Sequence, residues 1–135
     1  MLSILVVDDE PAVCEALADL LRLDGHDVAT AGNGREALQL AVPGRFDLVL
    51  ADLMMPVMAG DEFIRALRHK GGPRCWLVTM SSARESLVRW RVRGCDRFLT
   101  KPVHPDTLTE ITVACARDPA IAQRILARTP AGKAG

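Results

Sequence analysis

Apolar residues along the chain fall into short unbroken runs separated by stretches with helical spacing. "SILVV" (Ser3–Val7) is the first run and stops at Asp8-Asp9-Glu10. Pro11 suits the first position of a helix, and Val13, Ala16, Leu17, Leu20 and Leu21 follow on one helical face up to Gly25. "DVATA" (Asp27–Ala31) is a second run, and Asn33-Gly34 leads into a helix carrying Ala37, Leu38 and Ala41 that Pro43-Gly44 ends. "LVLA" (residues 48–51) is the third run. Residues 59–69 place Phe63, Ile64 and Leu67 on one face before Gly71-Gly72-Pro73. "CWLVT" (residues 75–79) is the fourth run. Ser82-Ala83-Arg84-Glu85 has the capping-box form and opens a fourth helix that Gly94 closes. "RFLT" (Arg97–Thr100) is the fifth run, and Pro105 starts a fifth helix with Leu108, Ile111, Thr112 and Cys115 on one face.

Strand and helix thus alternate five times, which predicts an α/β fold: a (βα)5 doubly wound parallel sheet. Helices on both sheet faces explain why the strands are continuously apolar instead of alternating. At 135 residues the chain has the length of one ordinary domain. Apolar residues make up 49% and charged residues 25%, a globular composition. Seventeen acids balance seventeen bases, which argues against a nucleic-acid-binding role for the domain. No apolar stretch approaches the roughly 20 residues of a membrane span. The start "MLSILVVDDEP" has neither a basic leader nor a cleavage site, so a cytoplasmic protein is expected. Cys14, Cys75, Cys95 and Cys115 lie far apart and form no C-x-x-C pair, which fits free thiols in a reducing compartment.

In open α/β sheets, ligands gather beyond the carboxyl ends of the strands. Asp8 and Asp9 follow the first strand, Asp52 ends the third, Thr79 ends the fourth and Lys101 follows the fifth. Three carboxylates at one rim repel one another unless a cation joins them. They are hard oxygen ligands that leave room for water, which suits Mg2+. A carboxylate held rigidly there can act as a nucleophile toward phosphorus. Each residue alone has a plainer reading: the Asp pair as a helix cap, Asp52 as a turn residue, Thr79 as a strand residue, Lys101 as a solvated side chain and Phe98 as core. Their joint placement at four strand ends speaks against those readings.

The stretches "VVDDEP", "ADLMMPVMAG", "LVTM" and "FLTKP" resemble the receiver domain of two-component response regulators, over about residues 3 to 117. The resemblance implies a flavodoxin-like sheet with strand order 2-1-3-4-5, Asp52 as phosphoacceptor and Mg2+ as cofactor. It implies Asp9 as a direct metal ligand, Asp8 acting mainly through water, Asp52 itself and the Met54 backbone carbonyl. Thr79 is then the switch hydroxyl, Lys101 the phosphoryl contact, Phe98 the aromatic switch residue, and the Lys101-Pro102 peptide cis. The implied donor is a sensor histidine kinase or a histidine phosphotransfer protein. Such a domain catalyses only its own phosphorylation and dephosphorylation. An aspartate-nucleophile phosphohydrolase fits less well, because it separates its acids as D-x-D where this chain has Asp8-Asp9 adjacent. A phosphate-blind interaction module of the same fold would not need the complete acid, threonine and lysine set.

Met54, Ala59, Met80 and Val103 depart from the residues common in the family. Of these, Met80 is expected to lie across the rim and narrow access to Asp52, slowing both small phosphodonors and hydrolysis. Arg84, Arg89, Arg91, Arg93 and Arg97 outnumber Glu85 and Asp96 in the segment flanking Phe98. The face of fourth helix, fifth strand and fifth helix is therefore expected to dock an acidic protein partner or effector domain, with a phosphorylation-dependent dimer as its other use. The receiver domain is assigned to residues 1–118 and a C-terminal tail to residues 119–135, in which Ile121, Ile125 and Leu126 form an amphipathic turn or two before a linker. Either this is a single-domain regulator or an effector lies downstream.

Overall fold

The computed structural model describes residues 1–82 and 94–128. Its five strands are β1 (Ser3–Val7), β2 (Asp27–Ala31), β3 (Leu48–Asp52), β4 (Trp76–Ser81) and β5 (Arg97–Thr100). They form one parallel sheet in the order β2-β1-β3-β4-β5, as expected. The helices are α1 (Pro11–Leu23), α2 (Gly34–Leu40), α3 (Gly60–Lys70), α4 (Pro105–Arg117) and α5 (Pro119–Arg128). The fourth helix of the sequence reading, between Ser82 and Gly94, lies outside the described residues; α4 is the helix that starts at Pro105.

Strand pleating sorts the core into two halves. Ile4, Val6, Leu48, Leu50 and Val78 point to one face and pack with Cys14, Leu17 and Leu21 of α1 and with Leu108, Ile111 and Cys115 of α4. Leu5, Val7, Val49, Ala51 and Leu77 point to the other and pack with Ala37 of α2 and with Phe63 and Ile64 of α3. Both faces are buried, which is why no polar residue interrupts these runs.

Local signals set the helix ends. Pro11 and Pro105 open α1 and α4. Asn33 caps α2 by accepting the Glu36 N–H at 2.9 Å, and Glu36 reaches back to the Gly32 N–H at 3.2 Å. Gly25 leaves α1 with φ +89°, a conformation only glycine adopts without strain.

At the amino end of the sheet, opposite the acids, stands a second charged centre. Asp47, fully buried just before β3, accepts the Ser3 N–H at 2.8 Å and the Arg128 Nη2 at 2.7 Å. Its Oδ1 faces the Arg124 guanidinium at 3.4 Å. Arg124 also donates to the carbonyls of Arg74, Gly44 (3.0 Å) and Phe46 (3.3 Å). Ile121 of α5 is fully buried in the α1–α4 half of the core. The helix from Pro119 is thus pinned by an apolar anchor and two guanidinium groups, while Leu126 stays exposed.

Asp47→Ala removes two charge-assisted hydrogen bonds and is expected to lower unfolding stability by about 3 kcal/mol. Arg128→Ala removes a partner that is 42% exposed and is expected to cost under about 1 kcal/mol. Urea unfolding of both variants checks the contrast, which fails if the two losses are equal.

Candidate functional site

β1 and β3 run side by side with Val6 opposite Leu50. Two residues further along each strand, side-chain alternation brings Asp8 and Asp52 out on the same side. Carboxylate oxygens of Asp8, Asp9 and Asp52 all lie within 4.8 Å of one another. Asp8 and Asp52 are buried and Asp9 is exposed. The remaining lone pairs of the buried acids are used locally: the Glu10 N–H donates to Asp8 Oδ1 at 3.0 Å, and the Met54 N–H to Asp52 Oδ1 at 3.0 Å.

Lys101 closes the site. Its Nζ donates to Asp8 Oδ2 at 2.7 Å and to Asp52 Oδ2 at 2.9 Å. Its backbone N–H donates to the Ser81 carbonyl at 2.9 Å, and the Lys101-Pro102 peptide is cis, as the resemblance implied. Burial raises the Asp52 pKa above the ordinary carboxylate value, and the hydrogen bonds from Lys101 and the Met54 N–H offset that only in part. Burial alone would lower the Lys101 pKa, but its hydrogen bonds to Asp8 and Asp52 outweigh it and the ammonium is held more firmly than usual. One cation is thus shared by two buried acids.

The loop after Asp52 returns tightly to the sheet. A Cβ on Gly60 would stand 2.5 Å from the Asp52 carbonyl oxygen and 2.8 Å from Leu53 Cα, so only glycine fits there. The Gly60 N–H donates to the Leu53 carbonyl at 3.0 Å. This places the first turn of α3 directly against the end of β3.

Thr79 pairs with Ala51 on one side and Phe98 on the other. It is fully buried, and its Oγ1 donates to Cys95 Sγ at 3.7 Å. Phe98 is half-buried and packs with Cys95 against Leu53, the residue after Asp52. Cys95 was not singled out from the sequence; its position three residues before Phe98 was the one available signal.

Met80 does not behave as expected. β4 continues through Ser81, two residues past the predicted end. Met80 is therefore still in the strand and is fully enclosed in the α1–α4 half of the core with Val78 and Leu99. It packs; it does not cover the rim, and the expected obstruction of Asp52 has no basis. Of the arginines expected near Phe98, Arg97 alone lies within the described residues, exposed and 5.3 Å above the Trp76 ring.

A family model for the response regulator receiver domain matches residues 4–113. The chain belongs to the response regulator receiver domain family. The DNA-binding response regulator MtrA of Mycolicibacterium smegmatis is 39% identical over 105 residues, which are 78% of this chain and 46% of that protein. The chain spans less than half the length of the curated relatives it matches. Among solved structures, chemotaxis response regulator CheY4 of Vibrio cholerae matches with TM-score 0.74 and 31% identity over 85% of this chain and 98% of that one. The response regulator TrrA of Thermotoga maritima, in complex with Mg2+ and BeF, matches with TM-score 0.71 and 32% identity over 85% of this chain and 99% of that one. No helix among the described residues is long and apolar enough to cross a membrane.

For this receiver domain the charge balance at the rim can be tested directly. Lys101→Met leaves Asp8 and Asp52 facing each other without their cation, and the Asp52 pKa rises further. A carboxyl with a raised folded pKa favours the folded state only while protonated. The variant's deficit therefore opens as pH rises through about 4, the unfolded carboxylate range. At neutral pH it is expected to reach roughly 3 kcal/mol. Urea unfolding across pH 3–7 without divalent metal is the measurement, and a deficit independent of pH is the contrary result.

Proposed function

We propose that this receiver domain accepts a phosphoryl group on Asp52 from the phosphohistidine of a sensor histidine kinase or histidine phosphotransfer protein. The observation that carries the reading is the Lys101 ammonium bridging Asp52 and Asp8, with Asp9 completing a three-acid cluster. That donor set fits a small, hard divalent cation, and Mg2+ is the proposed cofactor, held by Asp9, Asp52 and the Met54 carbonyl, with Asp8 acting through water. When bound, the metal supplies charge neutralisation and orientation for the phosphoryl oxygens. The Mg2+ and BeF bound to TrrA support this choice of ion.

The chain's own groups do the rest. A carboxylate oxygen of Asp52 attacks phosphorus; the P–N bond breaks, and its electron pair returns to the donor imidazole. Lys101 then has a phosphoryl oxygen to pair with; because the phosphoryl group adds negative charge to the rim, a bound metal would supply the further positive charge the product needs. Hydrolysis reverses the logic: water attacks phosphorus, and the Asp52 carboxylate leaves. These are single-turnover reactions of the domain on itself, so we do not assign it turnover of an independent substrate.

Signalling follows from Thr79 and Phe98. The phosphoryl group is a stronger acceptor than Cys95 Sγ, and it draws the Thr79 hydroxyl toward Asp52. Phe98 then moves inward over Leu53, a population shift between existing conformations. The face of β5 and α4 docks an acidic protein partner or effector domain; a phosphorylation-dependent dimer is its alternative use. MtrA is named as DNA-binding, so a DNA-binding output attached to this receiver is one form of effector, with no direct nucleic-acid contact by the receiver itself. The cytoplasm is the proposed compartment, where phosphohistidine donors are charged.

Asp52→Asn is expected to abolish the mass gain of one phosphoryl unit from acetyl phosphate with Mg2+, and an undiminished gain excludes Asp52 as the acceptor. Asp9→Ala is expected to shift the Mg2+ requirement upward at least tenfold, about 1.4 kcal/mol of lost ligation. Thr79→Ala is expected to be phosphorylated yet to lose most of its response to a partner in a pull-down against the phosphorylated form. Normal partner binding by that variant rejects the coupling route.

A further inference from the structure

We propose that Cys95 is a positioning residue for the switch: its sulfur holds the Thr79 hydroxyl in the resting arrangement and so sets how readily the domain converts. The proposal rests on the reading of Asp52 as phosphoacceptor and Thr79 as switch hydroxyl.

Geometry supplies the argument. Thr79 is fully buried, so its hydroxyl cannot turn to water. Among the described residues, its side-chain hydrogen bond goes to Cys95 Sγ at 3.7 Å, and none goes to Asp52 or Lys101. Cys95 is a fixed post. Its neighbour Asp96 is clamped to β4: the Asp96 N–H donates to the Leu77 carbonyl at 2.7 Å, and the Leu77 N–H donates to Asp96 Oδ2 at 2.8 Å. Arg74 holds the other Asp96 oxygen at 2.7 Å. Leu77 lies two residues before Thr79 on the same strand face, so acceptor and hydroxyl share one rigid frame.

The same cysteine shares a packing partner with the second switch element: Cys95 and Phe98 both pack against Leu53, next to the acceptor. Turning Thr79 toward a phosphoryl group breaks the bond to sulfur, and moving Phe98 inward alters the Leu53 surface that Cys95 also covers. A buried hydroxyl with no acceptor is costly. Removing the sulfur raises the resting state and leaves the converted state, where Thr79 has a phosphoryl partner, untouched. Ligands selective for the converted state then bind tighter by the same factor.

The test uses the whole chain with Mg2+ and beryllofluoride, read by titration, alongside phosphorylation by acetyl phosphate read by mass. Cys95→Ala is expected to tighten beryllofluoride binding roughly threefold, the size of one net neutral hydrogen bond. Cys95→Ser, which keeps an acceptor, is expected to remain within about twofold of wild type, the scatter allowed for independent sites. If Cys95→Ala does not fold, Cys95→Val keeps the bulk without any acceptor and is expected to show the same tightening. In a Thr79→Val background the Cys95 substitution is expected to have no effect, because there is no hydroxyl left to hold; a merely structural role for Cys95 would persist there. Wild-type affinity in Cys95→Ala and Cys95→Val, or an equal shift with and without the Thr79 hydroxyl, overturns the proposal. Should wild type bind no beryllofluoride, the phosphoacceptor reading falls and the proposal with it; should wild type bind and the cycle be flat, only the proposal falls.

Discussion

One ammonium group sits between two buried carboxylates, and the rim of the sheet depends on it. Without Lys101, Asp8 and Asp52 would face each other with little water to screen them, and such acids neutralise themselves by taking up protons. With it, both are within hydrogen-bond distance of a positive charge. The compensation is incomplete, since burial still raises the Asp52 pKa. Asp9, exposed at the edge, adds a third carboxylate from which an incoming cation can be captured.

The sheet makes this arrangement rigid. Asp8 and Asp52 owe their proximity to the β1–β3 register, and Lys101 owes its position to the β4–β5 pairing and the bond between its N–H and the Ser81 carbonyl. None of these groups sits on a free loop. Gly60 tightens the frame further, because its missing side chain lets α3 begin against the backbone of Asp52. A register shift of one residue in either strand would turn the acids into the core and the core into the rim.

The two ends of the sheet are built on opposite terms. At the carboxyl end, two buried acids share one lysine, with Asp9 exposed beside them. At the amino end, a single buried acid, Asp47, meets Arg124 and Arg128, and the guanidinium groups also serve loop carbonyls. The first end is poised for chemistry and the second is closed structure. Cys95, which accepts the Thr79 hydroxyl and packs with Phe98 against Leu53, belongs to neither end.

The residues themselves determined the fold class, because five apolar runs alternating with helical spacing can be covered on both faces in few ways. They determined the acid set, Thr79 and Lys101 as candidates, because each stands at or near a strand end that the pattern locates to within a residue or two, whereas Phe98 became a candidate only through the family resemblance. Three matters were left to the tertiary structure. Where β4 ends depended on pairing with β3 and β5, not on local propensity, so Met80 went into the core and not across the rim. Asp47 looked like an ordinary loop acid until α5 folded back from far along the chain to bring Arg124 and Arg128 onto it. Cys95 and Thr79 are sixteen residues apart, and no periodicity links them. Cys95 stands in the turn before β5, and it reaches Thr79 because β5 pairs with β4 and Asp96 is bonded to Leu77, which only the assembled sheet provides.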